Sequence, residues 1–416
     1  MMTIKQKISN YLLAVAILFD CNVIYQYDVS NYGLYNKLWS LFIFACLIVA
    51  IVSQNRIYFH QIKKCVMVLI LSLLWIALHF VIRPGEIGSV ALFVEKILFI
   101  IIYYYFVEKN FLKQQNSSGL STLLLAFRDV VVLVAIVSLF FWLFASVFEI
   151  IPPTGQIYSN WTSDGTPKAV FSWLGLYFET QDVDSFGMNA LTRNTAIFTE
   201  APMASMTFCF ALIIDAFIDK KRNNIKTFIL ILAIASTVSS TGYVFIICVF
   251  LFKYCLSNNK EGVGQKLKFF LLPILFIMSL VGAAYIFSDK LDTMSYILRA
   301  DDYIVGFDAW QSNPLFGWGI GKKSILINYM DAWRALSGYW GFSNGIFTVL
   351  VEGGLYIGIF YFGAFAKSFI LSIRNHDVQY FAEAFLVLYL FVLTVIFYNL
   401  ILLVFLFRLW IYKNNE

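Results

Sequence analysis

An arginine and a carboxylate that could act together stand just before an apolar run near the middle of the chain. Arg193 comes first, and Glu200-Ala201-Pro202 then opens the run. Proline suits the first turn of a helix, where its missing N–H would have no partner anyway, so a helix is predicted to begin there. The arginine fork could hold phosphate oxygens, and the carboxylate could take a proton from a hydroxyl. The same spacing also fits a Glu200 that only caps the helix and an Arg193 that only extends to polar head groups.

A second cation shares one face of a predicted helix with aromatic rings. Residues 293–311 have the helical period, and steps of four, four and three align Arg299, Tyr303, Phe307 and Trp310. Aromatic faces stack on sugars while polar tips hydrogen-bond hydroxyls. This face is therefore a candidate glycan-binding surface, although an interfacial helix anchored in lipid head groups has the same pattern.

An irregular turn is predicted after this helix. Asn313-Pro314 ends the helix because proline cannot continue it. The glycines that follow, Gly317, Gly319 and Gly321, permit a tight turn. Further along, Asn344 opens the next apolar run, and Glu352-Gly353-Gly354 lies inside that run.

Composition places these residues in a membrane protein. Of 416 residues, 60% are hydrophobic and 13% charged, with 43 Phe and 24 Tyr, whereas soluble domains have about 45–50% apolar and about 25% charged residues. So much apolar surface cannot be hidden in one water-soluble core. The composition excludes a soluble enzyme, a disordered tail and a nucleic-acid binder. We therefore predict an all-α polytopic membrane protein with a single membrane domain, residues 1–416.

About twelve transmembrane helices are predicted, within a range of about 11–13, because a crossing needs about 20 apolar residues. Continuous runs occur at 10–27, 38–53, 65–82, 87–107, 129–150, 201–218 and 269–287. The stretch 226–256 is interpreted as a hairpin of two short helices, 344–373 as one bent crossing, and 380–412 as two short crossings with a turn near Asn399. The N-terminal run is interpreted as a retained first span and not as a cleaved signal peptide.

Basic residues agree with this arrangement. If the N-terminus is cytoplasmic, the inside segments carry twenty Lys and Arg and the outside segments carry nine, despite their greater length. Both termini are then predicted to be cytoplasmic. Two outside connections are long, 151–200 and 288–343, so the working surface is predicted to face outward, with short helices in both loops.

The sequence offers little for a metal site. Asp182-Val183-Asp184 has the spacing of metal-binding carboxylate pairs in some sugar transferases, but such pairs are also common in solvated loops. The three histidines fall outside both long loops, which argues against a histidine base or a histidine-ligated metal on the outer face. Six cysteines lie in or beside apolar runs without Cys-x-x-Cys spacing, so no zinc site or disulfide framework is predicted.

Several ionisable residues lie in or near the predicted spans: Asp20, Glu95, Lys96, Asp215, Glu352 and Glu383. Charges at this depth are costly and face partners or water. They could line an ion or proton pathway, or they could pair with one another and hold the bundle together.

Taken together, these motifs resemble those of the O-antigen polymerase and ligase superfamily. The resemblance covers roughly residues 190–360: the arginine and Glu-Pro region, Ser239-Ser240-Thr241-Gly242 in a hairpin, Arg299, the Asn-Pro-Leu-Phe-Gly-Trp-Gly-Ile-Gly turn at 313–321, Asn344 and Glu352-Gly353-Gly354. The turn is the most specific of these motifs. Within the superfamily the chain looks like a Wzy-type polymerase of surface polysaccharide, which implies a GT-C-like fold.

The resemblance implies a metal-independent glycosyltransferase of the bacterial inner membrane that needs no cofactor. Its substrates would be two undecaprenyl-pyrophosphate-linked glycans, a growing chain as donor and one repeat unit as acceptor. The acceptor hydroxyl would attack the first sugar of the donor, and undecaprenyl pyrophosphate would leave. The implied partners are the lipid bilayer and a chain-length regulator protein, and no nucleic acid.

The resemblance also implies roles for individual residues. Arg193 and Arg299, with Arg334 as a third, would meet the charge developing on the pyrophosphate. Glu200 is the first candidate for the base, and Asp301 is the second. The glycan-binding candidates are Trp173, Tyr303, Trp310, Trp318 and Trp340. The candidates for a structural motif are Asn313, Pro314, Gly317, Gly319, Gly321 and Asn344.

The chain departs from the family pattern in two places. The family's Arg-x-x-Gly-x-Phe-x-Glu-Pro becomes residues 193–202, without the glycine and with Ala201 before Pro202. Ser343-Asn344 stands where ligases usually have His-Asn, which favours a polymerase over a ligase. The alternatives are an O-antigen ligase, a peptidoglycan-type polymerase and a flippase, the last of which is opposed by the long loops and the lack of a visible repeat.

Overall fold

The computed structural model describes residues 3–20, 22–31, 33–54, 58–109, 121–162, 166–185, 188–221, 223–256, 294–393 and 399–412, and most of this part of the chain is helical. The helices described before the second long loop are α1 (Ile4–Phe19), α2 (Leu34–Val52), α3 (Phe59–Ile82), α4 (Ile87–Tyr103), α5 (Ser121–Phe141), α6 (Ala201–Ile213), α7 (Asn224–Ser236) and α8 (Ser240–Leu256). Those described from that loop onward are α9 (Met294–Gln311), α10 (Ala332–Leu336), α11 (Gly345–Arg374), α12 (Val378–Leu393) and α13 (Leu400–Ile411).

Six helices in the described ranges are long and apolar enough to cross a membrane. They are Leu34–Val52, Phe59–Ile82, Ile87–Glu108, Ser121–Val147, Ala201–Ile218 and Gly345–Arg374. Shorter apolar helices accompany them at Asn224–Ser236, Ser240–Tyr254, Val378–Leu393 and Leu400–Ile411. The architecture is that of a helical, polytopic membrane protein, as the composition predicts. The predicted span at 269–287 lies outside the described residues.

The ambiguous apolar stretches divide near their polar and glycine residues. In the stretch 226–256, α7 ends at Ser236 and α8 begins at Ser240, which forms the predicted hairpin. Helix α11 is broken at Gly354, whose φ of 59° and ψ of −164° lie outside the helical region. Asn399 caps α13 by accepting a hydrogen bond from the backbone N–H of Ile401 at 3.0 Å.

The first long loop is a small β-structure, so the prediction of an all-α fold with short helices in this loop is wrong. A three-stranded antiparallel sheet joins β1 (Gly155–Ser159), β2 (Lys168–Trp173) and β3 (Tyr177–Glu179), and a hairpin joins β4 (Asp182–Ser185) and β5 (Met188–Thr192). The reason is visible in β2, where Val170 and Ser172 are buried while Ala169 and Phe171 are exposed. This period of two is that of a strand with one covered face.

The second long loop does carry helices. Helix α9 covers Met294–Gln311, in agreement with the predicted 293–311, and Thr293 itself lies outside the described residues. A 3-10 helix at Lys323–Tyr329 and the short α10 follow. Val305 and Ala309 of α9 pack with Leu326, Met330 and Val351, so a small apolar core of its own holds this loop against α11.

Connections that the charge pattern predicts on one side of the membrane meet at one end of the bundle. The segment after α1 forms β-bridges from Val23 to Phe198 and from Asp28 to Ser159. The turn before α4 joins the second loop, because the N–H of Glu86 donates to the carbonyl of Ile320 at 2.8 Å. Both long loops and the short connections beside them therefore build one face of the molecule.

Ion pairs satisfy several of the charges in or near the spans. Lys96 pairs with Asp20 at 2.6 Å, and Arg408 pairs with Glu383 at 2.6 Å. At the end of the bundle opposite the long loops, Arg128 binds Asp215 at 2.7 Å and Asp219 at 2.8 Å. These charges thus link neighbouring helices, which is the structural alternative to a proton or ion pathway.

Candidate functional site

Arg193 lies at the end of β5, and its backbone is held from both sides. Its N–H donates to the carbonyl of Gln181 at 3.1 Å. The next residue, Asn194, is fully buried, and its side-chain amide donates to the hydroxyls of Ser138 and Ser236 at 3.2 and 2.9 Å. Helices α5 and α7 therefore fix the backbone immediately after Arg193, which limits the positions that its guanidinium group can reach.

The Arg193 guanidinium is half-buried and only partly satisfied. Its Nε donates to the carbonyl of Thr237 at 2.8 Å, and Nη1 reaches Oε1 of Gln181 at 3.5 Å, a long contact. Burial is the main cause of a pKa below the usual arginine range, and the nearby charge of Arg299 acts in the same direction. Glu200 and Tyr243 lie near enough to oppose the shift.

Arg299 brings a second guanidinium group to this place from α9. Its charge acts on Arg193, on the phenol of Tyr303 one turn further along α9, and on the phenol of Tyr389 in α12. The side chain is half-buried, and it forms no hydrogen bond or ion pair with any residue in the described ranges. One cation from each long loop thus lies near the place where α7, α8 and α12 meet.

The other buried guanidinium groups of the described chain are neutralised by carboxylates. Arg128 binds Asp129, Asp215 and Asp219, and Arg408 binds Glu383 through two nitrogens. Arg193 has no carboxylate within ion-pairing distance among the described residues. The Arg193 and Arg299 pair therefore carries positive charge that the protein does not compensate by contact.

Glu200 faces the same region, and its carboxylate does not cap the helix it precedes. It occupies the N-cap position of α6 without a side-chain capping bond, and the N–H of Ala201 instead donates to Gln181 at 3.1 Å. Pro202 lies in the first turn, as predicted. Oε1 of Glu200 accepts a short hydrogen bond from the indole N–H of Trp161. The carboxylate is thus turned toward the first long loop.

Arg334 and Asp301, two further candidates for the site, bind each other. Arg334 is 0% exposed. It donates to Asp301 at 2.5 Å, to Asp302 at 2.6 Å, and to the carbonyls of Tyr339 and Gly341 at 2.9 and 2.5 Å. A guanidinium with these partners has little capacity left for a phosphate, and the Asp301 carboxylate is occupied. We therefore leave both out of the proposed site.

The candidate aromatic residues divide by exposure. Trp173 is 3% exposed, and its indole N–H donates to the carbonyl of Ile151 at 2.9 Å, so its ring belongs to the core of the first loop. The indoles of Trp310 and Trp318 donate to the carbonyls of Pro314 and Ala309 at 3.1 and 2.8 Å. Tyr303 and Trp340 are 42% and 59% exposed. Of this set, Tyr303 lies one turn from Arg299 on α9, near enough for the charge of Arg299 to act on its phenol.

The glycine turn fills the break in α11. The N–H groups of Trp318 and Gly319 donate to the carbonyls of Val351 and Glu352 at 2.7 and 2.9 Å. In return, the N–H of Leu355 donates to the carbonyl of Pro314 at 2.9 Å. Gly317, Gly319 and Gly321 all have positive φ. The turn therefore replaces helical hydrogen bonds that the break removes, which fixes the end of α9 relative to α11.

Two further candidates of this motif also hold the second loop in place. Asn313 accepts a short hydrogen bond from the Arg83 guanidinium, which ties the turn to the end of α3. Asn344 is the N-cap of α11, and its side chain accepts from the N–H of Phe347 at 3.1 Å. Both therefore have structural roles at the outer ends of helices.

The predicted carboxylate pair Asp182-Val183-Asp184 lies in the β4–β5 hairpin, and the side chain of Asp184 lies outside the described part of the structure. Asp182 accepts a hydrogen bond from the hydroxyl of Thr192 at 2.9 Å, across the β4–β5 hairpin. Among the described residues, no group of three or more His, Cys, Asp and Glu side chains could hold a metal ion.

Sequence reasoning did not single out several residues that build the site. Gln181 contacts both Arg193 and the first turn of α6, and Asn194 anchors Arg193. Trp161 holds Glu200 from a strand end about 40 residues away along the chain. Helical periodicity carries no signal for such contacts, because these residues lie in strands and turns.

Comparison of the chain with protein-family models, with curated proteins and with solved structures finds no match.

Proposed function

We propose that the protein is a polytopic inner-membrane glycosyltransferase that polymerises lipid-linked glycans, with about twelve crossings, both termini in the cytoplasm and the long loops outside. The observation that carries the proposal is the convergence of Arg193 and Arg299, two half-buried cations without a contacting carboxylate, beside Glu200. This is a site for an anion next to a group that accepts a proton.

The charge of the site suits a diphosphate. A partly buried guanidinium is costly unless an anion pairs with it, and Arg193 has only a carbonyl and a distant amide oxygen. A pyrophosphate diester carries two negative charges, and its oxygens match the forks of two arginines. Substrate would therefore supply the counter-charge that each of Arg128, Arg334 and Arg408 already has from the protein.

The proposed reaction is a direct transfer between two lipid-linked glycans. The hydroxyl of the acceptor repeat unit loses its proton to Glu200, and its oxygen forms a bond to the anomeric carbon of the donor glycan. The bond from that carbon to the pyrophosphate oxygen breaks, and its electron pair stays on the oxygen. Arg193 and Arg299 stabilise the charge that develops there, each contributing on the order of 3–4 kcal/mol.

Ser343-Asn344, which stands where ligases usually have His-Asn, favours polymerisation over ligation. Tyr303, 42% exposed and beside Arg299, would pack against the sugar nearest the diphosphate.

The test uses purified protein and the lipid-linked repeat unit of the producing cell, with product length read on a gel. Arg193→Lys and Arg299→Lys keep the charge but lose the fork, and each should lower the rate by about 10²–10³-fold, the loss expected for one preorganised donor. Lys168→Ala, an exposed cation on β2, is the matched control and should keep the wild-type rate. Wild-type rates in both arginine variants would refute the proposal.

A flippase would give a different result in cells. Deletion of a polymerase leaves carriers with a single repeat unit on the outer face and abolishes the ladder of polysaccharide lengths. Deletion of a flippase instead leaves lipid-linked units on the cytoplasmic face. Accumulation on the cytoplasmic face would therefore replace the proposed function with transport.

A further inference from the structure

Among the described residues, Trp161 forms the only hydrogen bond to the Glu200 side chain. Its indole N–H donates a short hydrogen bond to Oε1 of Glu200. The ring itself remains 37% exposed. Its edge packs against the ring of Tyr27, with centroids 4.7 Å apart and an interplanar angle of 66°. A partly open aromatic pair therefore adjoins the proposed base.

This aromatic pair is rigidly held. The N–H of Asn160 donates to the carbonyl of Tyr27 at 2.8 Å, and the N–H of Trp161 donates to the hydroxyl of Ser159 at 3.1 Å. On the other side, the phenol of Tyr27 donates to the side-chain oxygen of Asn22. The backbone carbonyl of Asn22 accepts from the N–H of Thr199 at 3.0 Å. The segment between α1 and α2 thus ties the end of β1 to the residue before Glu200.

We propose that Trp161 and Tyr27 form the acceptor-sugar shelf of the site, and that Trp161 is the positioning residue for Glu200; this inference rests on the proposed function. One indole would then do two things. Its N–H fixes which carboxylate oxygen is free, and its exposed face stacks on the sugar whose hydroxyl gives up the proton. The ligand class is a saccharide, because only a ring with apolar C–H faces and polar edges uses both features.

Substitutions at Trp161 separate its role in positioning Glu200 from its role in stacking on the sugar. Trp161→Phe keeps a ring but removes the N–H, so the acceptor KM should stay within about 2-fold while kcat falls about 10-fold or more, as for the loss of a hydrogen bond to a charged group. Trp161→Ala removes the ring as well and should raise the acceptor KM a further ~5-fold or more. Trp333→Phe, which changes an equally exposed tryptophan (38%) in α10, is the matched control.

A second measurement keeps this inference distinct from the proposed function. Mild acid releases the free repeat oligosaccharide from its carrier, and its binding to the purified protein is measured by saturation-transfer NMR. Binding that is lost in Trp161→Ala and kept in Trp333→Phe supports the shelf, even if the wild-type protein does not polymerise. Unchanged binding and unchanged kcat in the Trp161 variants of an active polymerase would overturn the inference. A higher kcat in Trp161→Phe would also overturn it, because the indole would then restrain Glu200 from reacting.

Discussion

Removal of Arg334 should destabilise the second long loop, because this guanidinium organises the loop from inside. The side chain makes four hydrogen bonds: two to the carboxylates of α9 and two to carbonyls of the segment before α11. Although burial opposes it, the hydrogen bonds with Asp301 and Asp302 hold the pKa of Arg334 above its usual value. In Arg334→Met, the side-chain volume is largely kept while every one of these bonds is lost.

The magnitude follows from what remains behind. Asp302 is 2% exposed, and without Arg334 it keeps only the N–H of Ser343 at 2.7 Å as a described partner. Breaking a buried pair in this way costs about 3–5 kcal/mol, because an uncompensated charge stays buried. The double variant Arg334→Met/Asp302→Leu removes that charge too, so it should recover much of the loss.

The assay is chemical denaturation of the detergent-solubilised protein, followed by tryptophan fluorescence. The control is Lys322→Met, which changes an exposed cation of the same loop. If Arg334 were instead a ligand of the diphosphate, Arg334→Met would lose activity while its free energy of unfolding stayed at the wild-type value. That combination, or a double variant less stable than the single one, would refute the structural role.

Two further predictions concern the backbone break and a buried carboxylate. Gly354→Ala should lower the thermal midpoint strongly, because φ is +59° and the new Cβ would lie 2.4 Å from the carbonyl carbon and oxygen of Leu315. The control is Gly88→Ala, which has no atom within 4 Å of the added Cβ and should be neutral or slightly stabilising. Burial raises the pKa of Glu179, so its contribution to stability is full below the unfolded-state pKa of about 4.3 and is lost as pH rises through the folded-state pKa. Glu179→Gln should therefore flatten the fall in thermal midpoint as pH rises above about 4.3, and a parallel slope in both proteins would contradict this.

The helical part of the fold could be predicted because a membrane imposes a strong one-dimensional signal. A crossing must be long, apolar and helical, so the runs 65–82 and 201–218 locate α3 and α6, although α3 begins six residues earlier and α6 ends five residues earlier than predicted. The breaks could be predicted for the same reason, since Gly353-Gly354 interrupts a pattern that is otherwise continuous. The first long loop lacks such a constraint, and its described strands of three to six residues are too short for alternation alone to predict them.

The site could be predicted only in part. Arginine and glutamate next to an apolar run indicate a chemistry, but the contacts that orient them come from distant segments such as 22–28 and 159–161. The same limit applies to the prediction for Arg334. Its residue type and its position in the second long loop are those expected of a residue that binds phosphate. What distinguishes Arg334 is direct contact with the acidic pair Asp301-Asp302, and a sequence separation of more than 30 residues conceals that contact.

What decides whether one of these arginines can bind an anion is therefore whether a carboxylate of the protein already compensates its charge, and not its position in the chain. A buried guanidinium that already has carboxylates at 2.5–2.8 Å, like Arg128 or Arg334, gains little from a phosphate and would have to give up a partner to bind one. Arg193 gains most, since burial and a second cation lower its pKa while only a carbonyl and an amide contact it. An anion that arrives between Arg193 and Arg299 relieves both desolvation and mutual repulsion, and its departure restores them. Because an uncompensated guanidinium is costly to bury, the proposed diphosphate should bind there in preference to any other buried arginine that the structure describes.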